Sequence, residues 1–250
     1  MGNDGKKRFA VLLCAEDSDY VKKKYGGYFG VFVKMLAEEG ETWDVYRVAA
    51  GDFPDDGDIA AYDGFVITGS FSDAHGDDLW IRDLLILLKK LNSFNKKVLG
   101  ICFGHQILGR ALGGKTGRAK SGWDVGVTNV ELSPSSSKLF ASLKLPDLLS
   151  IIECHQDEVW ELPPKAEVMA WSNKTGIEMF KYGDHIMGIQ GHPEYTLRTL
   201  FSTSLTVFST TISSWYESYA DEVKANVENH EPHREAWKKL CISFLKGRLW

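Results

Sequence analysis

A cysteine between two glycines is the residue best placed to do chemistry in this sequence. Cys102 follows an apolar run (98–101) that predicts a short buried strand, and a helical pattern begins near His105. Gly100 and Gly104 leave room for a sharp turn from strand to helix, because a Cβ at either position would crowd it. Such a turn presents its central side chain at the carboxyl edge of a sheet, where the first amides of the helix favour a thiolate. Taken alone, the pattern also fits a buried structural cysteine.

A histidine and a glutamate two residues apart could complete a catalytic group. The run 186–190 predicts another short strand, and His192, Pro193 and Glu194 follow it. Residues i and i+2 of an extended segment point to the same side, and a proline keeps the residue before it extended. Glu194 can therefore orient the imidazole of His192 while the other ring nitrogen faces a nucleophile. With Cys102, these residues predict a Cys–His–Glu triad for acyl transfer.

The two segments resemble the two signatures of the class I, triad-type glutamine amidotransferases. The stretches are Gly-Ile-Cys-Phe-Gly-His-Gln around Cys102 and Gln-Gly-His-Pro-Glu around His192. The resemblance covers residues 8–195 as one domain, and it implies Cys102 as nucleophile, His192 as base and Glu194 as orienting acid. Residues 196–250 lie beyond it as a C-terminal extension.

The same resemblance implies an oxyanion hole and a set of substrate contacts. The hole would consist of the backbone N–H groups of Phe103 and Ser70, although the loop reads Gly-Ser-Phe where the family usually has Gly-Gly-Pro. The implied substrate contacts are Gln106, Trp123, Asp124 and His155. Two of these have alternative readings: Gln106 fits a polar cap at the start of a helix, and His155, beside a cysteine, fits a zinc ligand. Because no second ligand pair has suitable spacing, we expect neither a metal nor another cofactor.

Alternating strands and helices predict an α/β fold with a mostly parallel central sheet flanked by helices, the flavodoxin-like arrangement of the resembled family. The predicted strands of this part are 8–14, 43–48, 62–68 and Lys97–Ile101, with helices at 28–39 and 78–91. Short strands then predict a small antiparallel extension, at 125–132, 149–154, 168–172, 177–180 and 186–190. Helices are predicted at 196–209, 216–227 and 232–245. We expect them to pack on the same domain, or alternatively to form a dimer or partner surface.

Composition and charge exclude several classes of protein. The chain has 250 residues, 44% of them hydrophobic, so it can bury one large core. A net charge of −5 argues against a nucleic-acid partner, and no apolar run is long enough to cross a membrane. The N-terminal residues lack the apolar core of a secretory signal, and four scattered cysteines form no disulfide framework. We therefore expect an enzyme of the cytosol that acts on a small molecule.

Within the family, the sequence is most similar to the plant γ-glutamyl peptidases. The similarity lies in 23–29, in the loop 69–78 and in the segment Cys-His-Gln-Asp-Glu-Val that ends at Val159. It implies that the γ-glutamyl bond of glutathione and its S-conjugates is cleaved through a thioester, as in glutathione and sulfur metabolism. Specificity would then depend on the loop 71–78 and the stretch near Trp123. Two alternatives remain: a glutaminase subunit that supplies ammonia to a separate synthetase, and a binding module without turnover.

Overall fold

The computed structural model describes residues 6–146, 148–200 and 216–249. The strands in chain order are β1 (Arg8–Leu12), β2 (Thr42–Tyr46), β3 (Gly64–Ile67), β4 (Lys97–Ile101), β5 (Lys115–Arg118), β6 (Asp124–Leu132), β7 (Leu148–His155), β8 (Asp157–Glu161), β9 (Ala166–Trp171), β10 (Met179–Tyr182) and β11 (Ile186–Ile189). The helices are α1 (Asp19–Tyr25), α2 (Tyr28–Leu36), α3 (Asp56–Ala61), α4 (Leu79–Ser93), α5 (Phe103–Ala111), α6 (Pro134–Leu139), α7 (Tyr216–Asn229) and α8 (Arg234–Leu245). Residues 197–200 are also helical.

One nine-stranded sheet organises the chain, in the order β2-β1-β3-β4-β11-β10-β9-β6-β7. The first five strands of this order are parallel, and the other four are joined by antiparallel pairing. The predicted fold class is thus confirmed, with the antiparallel strands continuing the central sheet. β4 and β11 are parallel neighbours, so their carboxyl ends lie side by side. The segments that carry Cys102 and His192 therefore leave the sheet at the same edge.

The structure departs from the predicted elements in several places. The helix α1 was not predicted; Ser18 caps it by accepting a hydrogen bond from the Val21 N–H at 3.3 Å. The strand predicted at 177–180 begins only at Met179, and 201–209 of the predicted helix 196–209 lies outside the described residues. The short pair β5–β8, a separate two-stranded sheet, was not predicted. Its polar, glycine-containing sequence has no apolar alternation to mark it.

The C-terminal helix α8 belongs to the main core. Trp237, Leu240 and Phe244 are buried in the same cluster as Phe9 of β1 and Leu99 of β4. The predicted apolar face of this helix therefore covers the central sheet. No helix within the described part of the chain is long and apolar enough to cross a membrane.

Candidate active site

The nucleophile elbow depends on two glycines that allow the backbone to come close to itself. A Cβ on Gly100 would lie 2.4 Å from the carbonyl oxygen of Gly104, and one on Gly104 would lie 2.5 Å from the carbonyl oxygen of Ile67. Between them Cys102 has φ +53° and ψ −105°, a conformation that L-residues rarely adopt. Strained backbone of this kind marks functional sites, and here it directs the Cys102 side chain out of the turn.

His192 lies between the predicted acid and the predicted nucleophile. Its Nδ1 is 2.8 Å from Glu194 Oε1, so this carboxylate accepts the Nδ1 proton and leaves Nε2 for the thiol of Cys102, its other hydrogen-bonding partner. The ring is also stacked on Tyr195, with centroids 4.1 Å apart. The structure thus brings together the three residues of the predicted triad, held by hydrogen bonds and by one aromatic contact.

Electrostatics favour a protonated imidazole at this position. Burial alone lowers the pKa of His192, but Glu194 and Cys102 outweigh burial and hold that pKa well above its ordinary value. A histidine that keeps its proton beside a cysteine can stabilise a thiolate and later protonate a leaving group.

The predicted oxyanion donors lie on two elements that meet at Cys102. Phe103 is the first residue of α5, and its ring stacks on Trp80 with centroids 5.5 Å apart. Ser70 belongs to the loop after β3, in which a Cβ on Gly69 would lie 3.0 Å from His192 Cε1. The loop therefore approaches the imidazole of His192 closely, and a side chain at position 69 would push the two apart.

An open pocket of about 90 Å³ surrounds Cys102, and three of the predicted substrate contacts line it: Gln106, Trp123 and His155. The Gln106 amide nitrogen donates to the Asp157 carbonyl at 2.8 Å, so only its oxygen is left for a substrate. Asp124 is not in the lining, and its carboxylate lies 3.5 Å from the Lys174 ammonium.

Buried acids lie behind the pocket. Glu153 and Glu178 are 0% and 2% exposed, and Glu153 Oε2 is 3.3 Å from His155 Nε2. Burial raises the pKa of the Glu153 carboxyl well above its ordinary value, and the charge of Asp124 raises that pKa further. Burial also raises the pKa of Glu178, with the charge of Glu153 adding to it.

A hydrogen bond of the His155 ring shows which of its nitrogens carries the proton. His155 Nδ1 lies 2.9 Å from the backbone carbonyl of Asp157, which can only accept, so Nδ1 carries the proton. Burial lowers the pKa of His155, and the neutral ring therefore presents a lone pair at Nε2. Glu153 Oε2 faces this lone pair at 3.3 Å, and burial favours the neutral carboxylic acid there. Sequence reasoning missed Glu153, although a glutamate in the apolar run of β7 was a usable signal.

A group of charged side chains that the sequence analysis did not predict lines the pocket; we call it the clasp. The Arg118 guanidinium lies 3.0 Å from Asp157 and 3.1 Å from Asp73, and it donates to the Gln156 side chain at 2.8 Å. His75 lies 3.4 Å from the other oxygen of Asp157. The clasp ties the loop 69–78 to β5 and β8.

Asp73, His75 and Asp157 are the one group in the described chain with three metal-binding atoms within 4.8 Å of one another. Because Arg118 already forms ion pairs with both carboxylates of this group, the group is not available as a cation site.

Comparisons with known proteins agree with this geometry. A sequence profile of the family described as "Glutamine amidotransferase class-I" matches residues 23–208. The chain belongs to the class I glutamine amidotransferase family. In this amidotransferase-family chain, the elbow and the His192–Glu194 pair both fall within the matched range.

Two relatives and one solved structure illustrate how far the similarity extends. Gamma-glutamyl peptidase 5 of Arabidopsis thaliana is 51% identical over 97% of this chain and 96% of its own. Gamma-glutamyl peptidase 3 of the same plant is 49% identical over 97% of this chain and 98% of its own. A glutamine amidotransferase of Thermotoga maritima has the same fold, with a TM-score of 0.73 at 23% identity over 98% of this chain and 99% of its own.

Proposed function

We propose that this chain is a cysteine-dependent hydrolase that cleaves the γ-glutamyl bond of glutathione S-conjugates and releases glutamate. One observation carries the proposal: His192 is held between Glu194 and Cys102 in a pocket that opens to solvent beside the nucleophile. Similarity to two proteins named γ-glutamyl peptidases, along almost the whole chain, supports the choice of bond.

The reaction would proceed in two halves. The Cys102 thiolate attacks the γ-carbonyl carbon, and the N–H groups of Phe103 and Ser70 stabilise the oxyanion. The amide C–N bond then breaks, His192 gives its proton to the leaving amine, and a γ-glutamyl thioester and a Cys-Gly conjugate result. Water next gives a proton to His192 and attacks the thioester, which releases glutamate and the thiolate. Glu194 keeps the imidazole oriented throughout.

Glutamate release by the purified chain tests the proposal. The substrates are glutathione, S-benzylglutathione and glutamine, each with wild type and with Cys102→Ala as the matched blank. We expect wild type to cleave the conjugate without any added protein. Turnover of glutamine that begins only when a synthetase is added would indicate a glutaminase subunit instead. No turnover of any of the three would indicate a binding module.

Two expectations from the sequence stay predictions. Fractionation of cells that express the chain would test its place in the cytosol. Light scattering of the purified chain would test an oligomer formed through the C-terminal helices.

A further inference from the structure

A second groove lies next to the active-site pocket. It is open to solvent, with a volume of about 860 Å³. Ala15, Tyr28 and the loop residues 70–72 line both cavities, so the two are continuous across this shared rim. The rim includes Ser70, one of the predicted oxyanion donors. A substrate whose carbonyl lies at that donor can therefore extend into the groove without crossing protein.

The groove contains two cations that have no anionic partner in the described part of the chain. They are Lys22 of α1 and Arg47, both with exposed side chains, and neither donates a side-chain hydrogen bond or forms an ion pair there. Of the two acids in the lining, Asp17 accepts a hydrogen bond from the Tyr28 N–H at 2.6 Å, and Glu16 is exposed. The groove therefore has as many acids as bases, but within the described chain neither acid forms an ion pair with Lys22 or Arg47, so both cations are available to an anion.

The opposite side of the pocket offers no such group. Arg118 faces two carboxylates, Asp73 and Asp157, and also the Gln156 side chain. Apart from His75, that side has two carboxylates for one guanidinium, so it repels a further carboxylate. The contrast decides in which direction an anionic leaving group would extend.

The groove also has an aromatic wall. Phe71 is 63% exposed on the shared rim, and Trp80 lines the groove while it stacks on Phe103. Exposed aromatic surface beside a polar rim is typical of ligand-binding clefts. Because Phe103 is a predicted oxyanion donor, this wall is in contact with the reaction centre.

We propose that the groove binds the leaving group of the substrate, an S-substituted dipeptide with a free terminal carboxylate. Arg47 and Lys22 bind the carboxylate, and Phe71 and Trp80 contact the apolar S-substituent. This assignment rests on the proposed γ-glutamyl hydrolase function and names the part of the substrate that this function leaves open.

Matched substrates test the assignment. S-Benzylglutathione and its glycine amide differ only in the terminal charge. The kcat/KM of the free acid divided by that of the amide therefore measures carboxylate recognition. We expect Arg47→Ala to lower this ratio about threefold and the double variant Lys22→Ala/Arg47→Ala about tenfold, the range for solvent-exposed ion pairs. Lys23→Ala, an exposed lysine of the same helix outside the groove, should leave the ratio unchanged. In wild type, added salt should raise KM for the free acid more than for the amide.

The outcomes separate this assignment from the function on which it rests. A ratio that is the same in the double variant and wild type, with both substrates cleaved, overturns the groove assignment and leaves the hydrolase intact. An equal fall with Lys23→Ala also overturns it, because general charge then accounts for the effect. If wild type cleaves no γ-glutamyl bond, the proposed function fails and the assignment fails with it.

Discussion

Cys102 has a positive φ, although a glycine would adopt that conformation at less cost. The strain is consistent with a nucleophile presented at the tip of a tight turn. We predict that Cys102→Ala and Cys102→Ser each lower kcat/KM at least about 10⁴-fold, since a hydroxyl ionises far less readily than a thiol. Glutamate release measures the loss, and circular dichroism checks the fold.

The other cysteines serve as controls for that experiment. Cys14 and Cys241 are fully buried, where burial raises the pKa of each thiol far above the ordinary range. Serine at either position should change stability more than chemistry. Loss of turnover in one of these variants, with Cys102→Ala active, would show that the nucleophile is assigned wrongly.

His192 and Glu194 should differ in the size of their effects. His192→Ala removes the proton carrier and should cost nearly as much as losing Cys102, since triad members act as a unit. Glu194→Gln keeps the shape but weakens a charge-assisted hydrogen bond, so a loss of roughly 10- to 100-fold in kcat is expected. Steady-state kinetics on one γ-glutamyl substrate give both values. Wild-type kcat for Glu194→Gln would remove this acid from the triad.

The buried acid Glu153 gives a prediction about stability and pH. Its pKa in the folded chain is raised above the ordinary value of 4.5, so folding must hold a proton that the unfolded chain releases. Wild-type stability therefore falls as pH rises from that value towards the folded pKa. Glu153→Gln lacks the proton, so its free energy of unfolding relative to wild type should rise with pH, by up to about 1.4 kcal/mol per unit. Urea unfolding at pH 5, 6, 7 and 8 measures the slope.

A second substitution separates charge from hydrogen bonding at the same position. Glu153→Leu removes the polar group that faces His155 Nε2 at 3.3 Å and leaves apolar surroundings there, at a cost of about 1–3 kcal/mol, whereas glutamine keeps a polar group at that place. We expect Glu153→Leu to be less stable than Glu153→Gln across the whole range. If the glutamine variant follows the wild-type pH dependence, Glu153 is not the buried carboxylic acid inferred from the geometry.

At the scale of elements, the strand–turn–helix unit of β4 and α5 depends on close backbone packing. Gly100→Ala would place a methyl group 2.4 Å from the Gly104 carbonyl oxygen, a contact that neither backbone can relieve without moving. We expect a loss of about 2–3 kcal/mol in unfolding free energy and a fall in activity, because α5 carries the Phe103 amide. Thermal and urea denaturation measure the free energy of unfolding, and glutamate release measures the activity.

Gly176→Ala is the matched control, since no atom lies within 4 Å of its added Cβ and its φ is not positive. It should change stability by no more than about 0.5 kcal/mol. Equal behaviour of the two variants would contradict the packing argument for the elbow.

At the scale of the whole molecule, the last helix, α8, packs into the main core of the sheet. Trp237 of α8 is 1% exposed and donates through its ring nitrogen to the Ser150 carbonyl at 3.1 Å. Trp237→Ala should lower the free energy of unfolding by about 3–5 kcal/mol. Trp160→Ala, at a side chain that is 55% exposed, is the matched control and should cost far less. Similar losses would mean that α8 is not part of the core.

The local geometry of the site was available from the sequence. Glycines around Cys102 mark a sharp strand-to-helix turn, and the spacing of His192 and Glu194 brings both side chains to one side of an extended segment. Such features depend on neighbours within a few residues, so patterns in the chain can reveal them. The helix α1 was not predicted, because its lysine-rich sequence buries only Val21 and so has no apolar face.

Only the tertiary structure decided which distant segments meet. Pairing of β4 with β11 brings residues 102 and 192 to one sheet edge, across about ninety positions of chain. The clasp of Arg118 and the acid Glu153 likewise depend on strands whose order no local pattern encodes. Their protonation and charge balance follow from burial, which is a property of the folded chain. The sequence therefore predicted the candidate nucleophile and its two partners, and the sheet order determined how they meet and the shape of the cleft around them.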